Sequence, residues 1–349
     1  GISVEKISER MRLSFSVGSQ FFMEVAKLRA ARVLWSQVME SFGGSAGSGR
    51  VHIHTRTSLY NKTVHDPFVN LLRTTTEAFS AVVGGTNGMH IGPYDETIRV
   101  PDRFSRRLAR NTHVILNEEC DLAKVTDPAG GSWYVEWLTD QLARKAWAEF
   151  QEIEKAGGMA QALKDGLPQK AIAKTAAARA ENVARRRDVI VGTNMYANAG
   201  EETLNLNLPD YAAIQRQRGR EVENYRTSGA ANDHTSVLSK LNILMESTPS
   251  HSLNAAVEAV LDGATVGEIC RTISARDSEH PSVNRIRIHR ASMGYERLRD
   301  TCAVYARENG HPPRVFQANI GPSAAYRLRA DWTTGFFQGG GFEVLADRD

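Results

Sequence analysis

Between Arg12 and Ile91 the chain switches repeatedly between a two-residue and a helical hydrophobic period, and this alternation constrains the fold more than any bulk property. Leu13, Phe15 and Val17 alternate with Arg12, Ser14 and Ser16, the pattern of a half-polar strand. The spacing of Met23, Ala26, Ala30, Val33, Leu34 and Val38 then predicts a helix over residues 21–40. After the glycine- and serine-rich loop Gly43 to Gly49, a second strand is expected over residues 51–60. It sets Val51 and Ile53 against His52, His54, Arg56, Ser58 and Tyr60. The next helix is predicted from its punctuation, with Asp66 as N-cap, Pro67 in the first helical position and Gly84 as a left-handed terminator. Phe68, Leu71, Leu72, Phe79 and Val82 form its apolar face, and Met89, His90 and Ile91 a third strand. Such units predict parallel βα packing, from either an open doubly wound sheet or a (β/α)8 barrel. In a barrel, the other strands would precede Gly1.

Beyond Arg103 helices are expected over residues 105–118, 136–156 and 168–187, interrupted by the short apolar run Val189 to Val191. The polar segment Arg226 to Thr235 reads as a linker. Further helices are predicted over 237–245 and 253–261 and from Thr265, where Glu268 stands at capping-box spacing. A helix over 295–308 precedes Pro312 and Pro313. The chain closes on a strand over 314–320, an amphipathic helix over 323–338 and a strand over 342–345, the start of a fresh parallel α/β unit. Both ends read as cuts through a longer protein.

With 349 residues, 41% hydrophobic and 24% charged, the chain can bury a sizeable core in two or three domains. A net charge of +3 gives no nucleic-acid signature, and the clusters Arg185 to Arg187 and Arg216, Arg218, Arg220 read as solvated helix faces. The absence of any long apolar run gives no membrane partner. Cys120, Cys270 and Cys302 are widely spaced, so neither a disulfide framework nor a zinc site is expected, and a reducing cytoplasm fits best.

His52, His54, His65, His90 and His113 raise the question of a metal, because His-x-His on a strand turns both rings to one face. No acidic residue follows a later strand at an obvious fourth-ligand position, and polar residues lining a barrel mouth are the favoured reading. The glycine pairs Gly84-Gly85 and Gly130-Gly131 lack phosphate-loop spacing. Arg12, Ser14 and Ser16 place a positive fork and two hydroxyls on one strand face, a pattern suited to an anionic ligand.

The segments HTRTSLYNKTVHDPFVNLLRTTTEAFSAVVGGTNGMHIGPYDE (His54 to Glu96), RLARNTHVILNEE (Arg107 to Glu119) and DPAGGSWYVEWLTDQLARKAW (Asp127 to Trp147) form one continuous pattern. With MEVAKLRAARVLW, FQEIEKAGGM and VIVGTNMY, it resembles the methylmalonyl-CoA mutase family of adenosylcobalamin-dependent acyl-CoA mutases across nearly the whole chain. The resemblance implies the C-terminal part of a (β/α)8 TIM barrel, about strands six to eight, over residues 1–125. A helical linker region over 126–311 and the first βαβ of a flavodoxin-like cobalamin-type domain over 312–349 would follow. Arg12 and Ser14 match a motif whose arginine and serine contact the CoA substrate, and Asn87 falls at a glutamine position that is also assigned to substrate. The catalytic histidine's strand would precede Gly1, so no catalytic residue is assigned here.

Departures from the family pattern sharpen that expectation. Catalytic members carry HxQTSGW on the seventh strand, against His54, Arg56, Leu59 and Tyr60 here. After the eighth strand Glu96 is retained, while Thr97 and Arg99 replace small residues beside the corrin. The Asp-x-His-x-x-Gly motif that supplies the lower cobalt ligand becomes Ser323, Ala325 and Leu328. The resemblance is therefore closest to the small, non-catalytic subunit of heterodimeric mutases, as is the run RIHRASMGYERLRD. Its partner would be the catalytic large subunit, its substrate acyl-CoA, and adenosylcobalamin would belong to the assembly without being bound by this chain. The competing expectation is a catalytic mutase with altered cofactor ligation.

Overall fold

The computed structural model describes residues 2–198, 200, 201, 204, 206, 208–227, 235–275 and 282–346. Contacts divide the chain into one unit comprising Gly1–Asn207 and Asn284–Asp349 and a second comprising Leu208–Val283. In chain order the first unit begins with α1 (Val4–Arg10), β1 (Arg12–Val17), α2 (Phe21–Ser41), β2 (His52–Thr57), α3 (Val69–Val83) and β3 (Gly88–His90). It continues through α4 (Arg103–Val114), which runs on as a π-helical turn, Ile115–Glu119, then α5 (Trp133–Lys155), α6 (Gly158–Asp165) and α7 (Leu167–Ala184). The second unit contains α8 (Tyr211–Thr227), α9 (Thr235–Ser247), α10 (Ser252–Leu261) and α11 (Val266–Ser274). The first unit resumes with α12 (Met293–Asn309), β4 (Arg314–Gln317), α13 (Ser323–Gly339) and β5 (Glu343–Ala346).

β1, β2 and β3 form a parallel sheet in that order, with Ser14 opposite His54, Ser16 opposite Arg56, and Arg56 opposite His90. The expected βα alternation is present and parallel. Leu13, Phe15, Val17, Val51 and Ile53 pack with Leu28 of α2 and Ala81 of α3. Strand residues alternate in direction, so this leaves Arg12, Ser14, Ser16, His52, His54, Arg56 and His90 on the opposite face, away from the helices. A second cluster, Ala78, Ile91, Ala109 and Leu116, seats α4 against α3.

Two expected helix boundaries are corrected. Asp66 is not an N-cap: its φ is +49°, and helix α3 starts only at Val69, after a turn in which the Val69 N–H donates to the Asp66 carbonyl. Gly84 has φ −76° and remains right-handed, while Gly85 takes the left-handed position at φ +83°. The Thr86 N–H reaches the Ala81 carbonyl at 3.0 Å and the Gly85 N–H reaches that of Val82 at 2.9 Å, the paired bonds of a Schellman ending. Gly84 serves a different need, since a Cβ there would lie 2.9 Å from Leu28 Cδ1.

The helix α6 was not foreseen; it is set off from α5 by left-handed glycines at 157 and 158. β4 and β5 pair in parallel with α13 between them in sequence, as the closing strand–helix–strand pattern suggests. In the second unit Leu241, Ala255, Ala259, Ala264 and Ile269 form the core. The capping box at α11 is complete, Thr265 and Glu268 each accepting from the other's backbone N–H. Of the expected linker Arg226 to Thr235, residues 228–234 lie outside the described residues. No helix among the described residues is long and apolar enough to cross a membrane.

Candidate functional site

The polar face of the three-stranded sheet is the place where chemistry-bearing side chains converge. Arg12 and Ser14 lie exposed on β1, and Ser14 Oγ is 3.3 Å from His54 Nδ1 on β2, a hydrogen bond whose direction follows the imidazole tautomer. At the C-terminal end of β2, Arg56 donates to Glu96 Oε2 at 3.0 Å. Glu96 is the more buried partner, and its Oε1 has no hydrogen-bond partner. The carboxylate lies against bare backbone, because a Cβ on Gly92 would come within 1.9 Å of Oε1. With any other residue at 92 the Glu96 side chain would have to turn away from its present position.

The loop after β2 carries Leu59 and Tyr60. Leu59 is exposed, whereas the Tyr60 ring meets His289 edge-on at 5.9 Å and lies 5.7 Å from the Arg179 guanidinium. The Ala291 N–H donates to the Tyr60 carbonyl at 2.7 Å, tying this loop to the segment before α12. Thr97 Oγ1 points to the Thr63 carbonyl at 3.4 Å. Arg99 turns back onto its own loop, pairing with buried Asp95 at 2.7 Å and with Asp102, the N-cap of α4, at 2.8 Å.

Asn87 lies at the opposite, N-terminal end of β3. Its Oδ1 accepts from the Ile53 N–H at 2.9 Å and from Arg32 at 3.1 Å, so this amide stitches β2 to β3 and α2. Ser323, Ala325 and Leu328 occupy the exposed first turns of α13, and Leu328 is 85% exposed. The described contacts join none of these three to Arg56, Leu59 or Arg99.

Beneath the Tyr60 loop is a group of residues that sequence reasoning missed. Lys62 and Glu77 form a buried ion pair, with Lys62 Nζ 2.8 and 2.7 Å from the two carboxylate oxygens and 2.8 Å from the Ser58 carbonyl. Burial pushes the Lys62 pKa down and that of Glu77 up, and each partner's charge opposes the other's shift. Ser292 Oγ donates to the Lys62 carbonyl at 3.2 Å, and buried Glu296 accepts from the Val64 N–H at 3.1 Å and from Arg290. No local pattern marks this network, since its members sit on a loop, on α3 and around the start of α12.

Among the described residues no three histidine, cysteine, aspartate or glutamate side chains gather to hold a metal ion. His65 instead lies 3.6 Å from Glu201, and burial pushes its pKa below the usual histidine value. His113 is likewise pushed down, by burial and then by the neighbouring His90. The arginine clusters are engaged by neighbours: Arg185 pairs with Glu181, Arg218 with Glu221, and Arg186 lies 5.6 Å from the rings of Trp332 and Phe336.

The sequence model of a family described as methylmalonyl-CoA mutase matches residues 1–279. The chain is 35% identical over 353 residues to a methylmalonyl-CoA mutase of Rhizobium meliloti (strain 1021), covering 99% of this chain and 49% of that protein. From Porphyromonas gingivalis (strain ATCC BAA-308 / W83), a methylmalonyl-CoA mutase small subunit is 43% identical over 203 residues, 58% of this chain and 33% of that one. The large subunit of the same organism is 32% identical over 343 residues, 96% of this chain and 48% of that one. The chain thus spans about half the length of the Rhizobium meliloti mutase and of the Porphyromonas gingivalis large subunit, 49% and 48%.

Proposed function

Because the chain belongs to the methylmalonyl-CoA mutase family, we propose that it is part of the small, non-catalytic subunit of a heterodimeric mutase that interconverts succinyl-CoA and methylmalonyl-CoA. Its partner is the catalytic large subunit. In this reading β1 to β3 are about the sixth to eighth strands of a TIM barrel, residues 126–311 are the linker region, and β4, α13 and β5 open a flavodoxin-like domain. The interior of an ordinary barrel is packed with branched apolar side chains. Here the face turned from the helices carries Arg12, Ser14, Ser16, His52, His54, Arg56 and His90, which suits a passage for a polar, anionic acyl-CoA. Arg12 and Ser14 are the proposed CoA contacts. Asn87, with its Oδ1 shared between Ile53 and Arg32, would support the sheet that carries them.

The residues present do not fit adenosylcobalamin. A lower cobalt ligand needs a donor atom, and Ala325 has only a methyl group, flanked by Ser323 and Leu328. The observation that carries the non-catalytic reading is the Arg56–Glu96 ion pair, which sets a charged side chain where a catalytic member would present a neutral amide to the corrin. Leu59 adds side-chain bulk on the following loop, at a position where catalytic members carry glycine.

The test is a titration of the full-length protein, purified without its partner, with adenosylcobalamin. The expected result is no saturable change in corrin absorbance, together with a one-to-one complex when a catalytic large subunit is added. A saturating shift with a base-off signature would overturn this reading and establish a catalytic mutase with altered ligation.

A further inference from the structure

A cavity of about 680 Å³ lies between the C-terminal end of α7, the first turns of α12 and the C-terminal end of α13, with Tyr60 on its rim. Tyr295, Leu298, Phe336, Phe337 and Phe342 give it a largely aromatic wall. Arg290 and Arg297 also line it. Arg290 donates one terminal nitrogen to Glu296, but its buried Nε has no hydrogen-bond partner. Arg297 is exposed and has no ion-pair partner among the described residues.

The lining also contains Gly294, the second residue of α12. Nothing stands within 4 Å of where its Cβ would be, and its φ lies outside the left-handed region. Neither close packing nor backbone geometry therefore asks for glycine, which is a poor helix former. What the missing side chain preserves is space inside the cavity.

We propose that this cavity is a binding site for a small organic anion with an aromatic body. The ring system would pack among Tyr295, Phe336 and Phe337, in the offset or edge-on arrangements such faces favour. The anionic group would be neutralised by Arg297, which lines the cavity, is exposed and has no ion-pair partner among the described residues. The volume is within the range of small-molecule sites. Of the positions compared with the family's HxQTSGW motif only Tyr60 lines the site, which requires neither acyl-CoA nor cobalamin.

Two fluorescent probes test this on the full chain: 1-anilinonaphthalene-8-sulfonate, and N-phenyl-1-naphthylamine, which has the same rings without the sulfonate. The expected result is one saturable sulfonate site, bound about tenfold more tightly than the neutral probe because of the charge-assisted contact. Gly294→Leu fills the cavity and should weaken both probes by about tenfold or more without lowering the melting temperature. Ala180→Leu fills it from α7 and replaces that variant should Gly294→Leu disturb folding. Arg297→Gln should weaken only the sulfonate probe, by about fivefold. Unchanged sulfonate binding in a folded cavity-filled variant, equal affinity for the two probes, or many equivalent sites would overturn the proposal.

Discussion

Lys62 and Glu77 illustrate how a charge can be held almost wholly out of water when its partner is fixed. Nζ donates to both carboxylate oxygens, to the Ser58 carbonyl and to Asn61 Oδ1, so the ammonium is amply supplied with acceptors. Removing one partner leaves the other buried and uncompensated, so Lys62→Met should cost about 3–5 kcal/mol in denaturant unfolding. The double change Lys62→Met with Glu77→Leu should recover much of that loss, since an apolar pair carries no desolvation penalty. Arg29 poses a different case at the surface of the same unit. Its guanidinium bridges Asp127 at 2.9 Å and Glu136 at 2.8 Å, linking α2 to α5 and to the loop before it. The hydrogen bond from Arg29, then that from the Gly131 N–H, holds the Glu136 carboxyl below the usual glutamate range. A depressed carboxyl pKa gives stability that is present above the usual range and is lost as pH falls through the lower, folded-state value. Melting temperatures measured from neutrality to about pH 3 should therefore fall less steeply on the acid side in Arg29→Ala than in the parent, although the variant starts lower. Arg56, Glu96 and Arg99 were legible as positions of interest. Their pairings were not, because an ion pair depends on where a side chain turns, and nothing in sequence spacing fixes that for a loop.

Helix α3 shows the same division at the next scale. Its two closing glycines do different work: Gly85 supplies the left-handed turn, and Gly84 makes room for Leu28. Gly85→Val should cost about 1–2 kcal/mol through the left-handed backbone, while Gly85→Asn, which tolerates that conformation, should cost distinctly less in the same thermal measurement. The left-handed role had been expected at Gly84, one residue early. Composition alone cannot divide two adjacent glycines between a turn and a close contact, because the contact comes from α2. The strands were read more faithfully, since alternation along β1 and β2 reports directly which face meets the helices. Likewise the Thr265 and Glu268 capping box was legible because both of its hydrogen bonds are local. Asp66 has suitable chemistry for an N-cap, yet its amide N–H is taken by Glu201 at 2.7 Å, a partner far away in sequence.

Across the whole chain, the sheet formed by β1, β2 and β3 ends on β1 and β3, whose outer edges have no strand partner among the described residues. Open edges invite further pairing. The mixed α/β class with parallel strands was legible because parallel βα units repeat within short stretches, whereas the contacts that gather the first unit cross long distances in sequence. Arg299 makes this plain. Buried in α12, it donates to the carbonyls of Gly192 at 3.1 Å, Thr193 at 2.9 Å and Gly339 at 3.2 Å. Three carbonyls from two remote segments converge on one planar donor, and the compact ammonium of a lysine cannot reproduce that fork. The two segments should consequently open as one event. In Arg299→Lys, amide hydrogen exchange at residues 190–194 and 337–342 should quicken together while the α9–α11 amides keep their rates, which makes this side chain a timekeeper for how the first unit breathes.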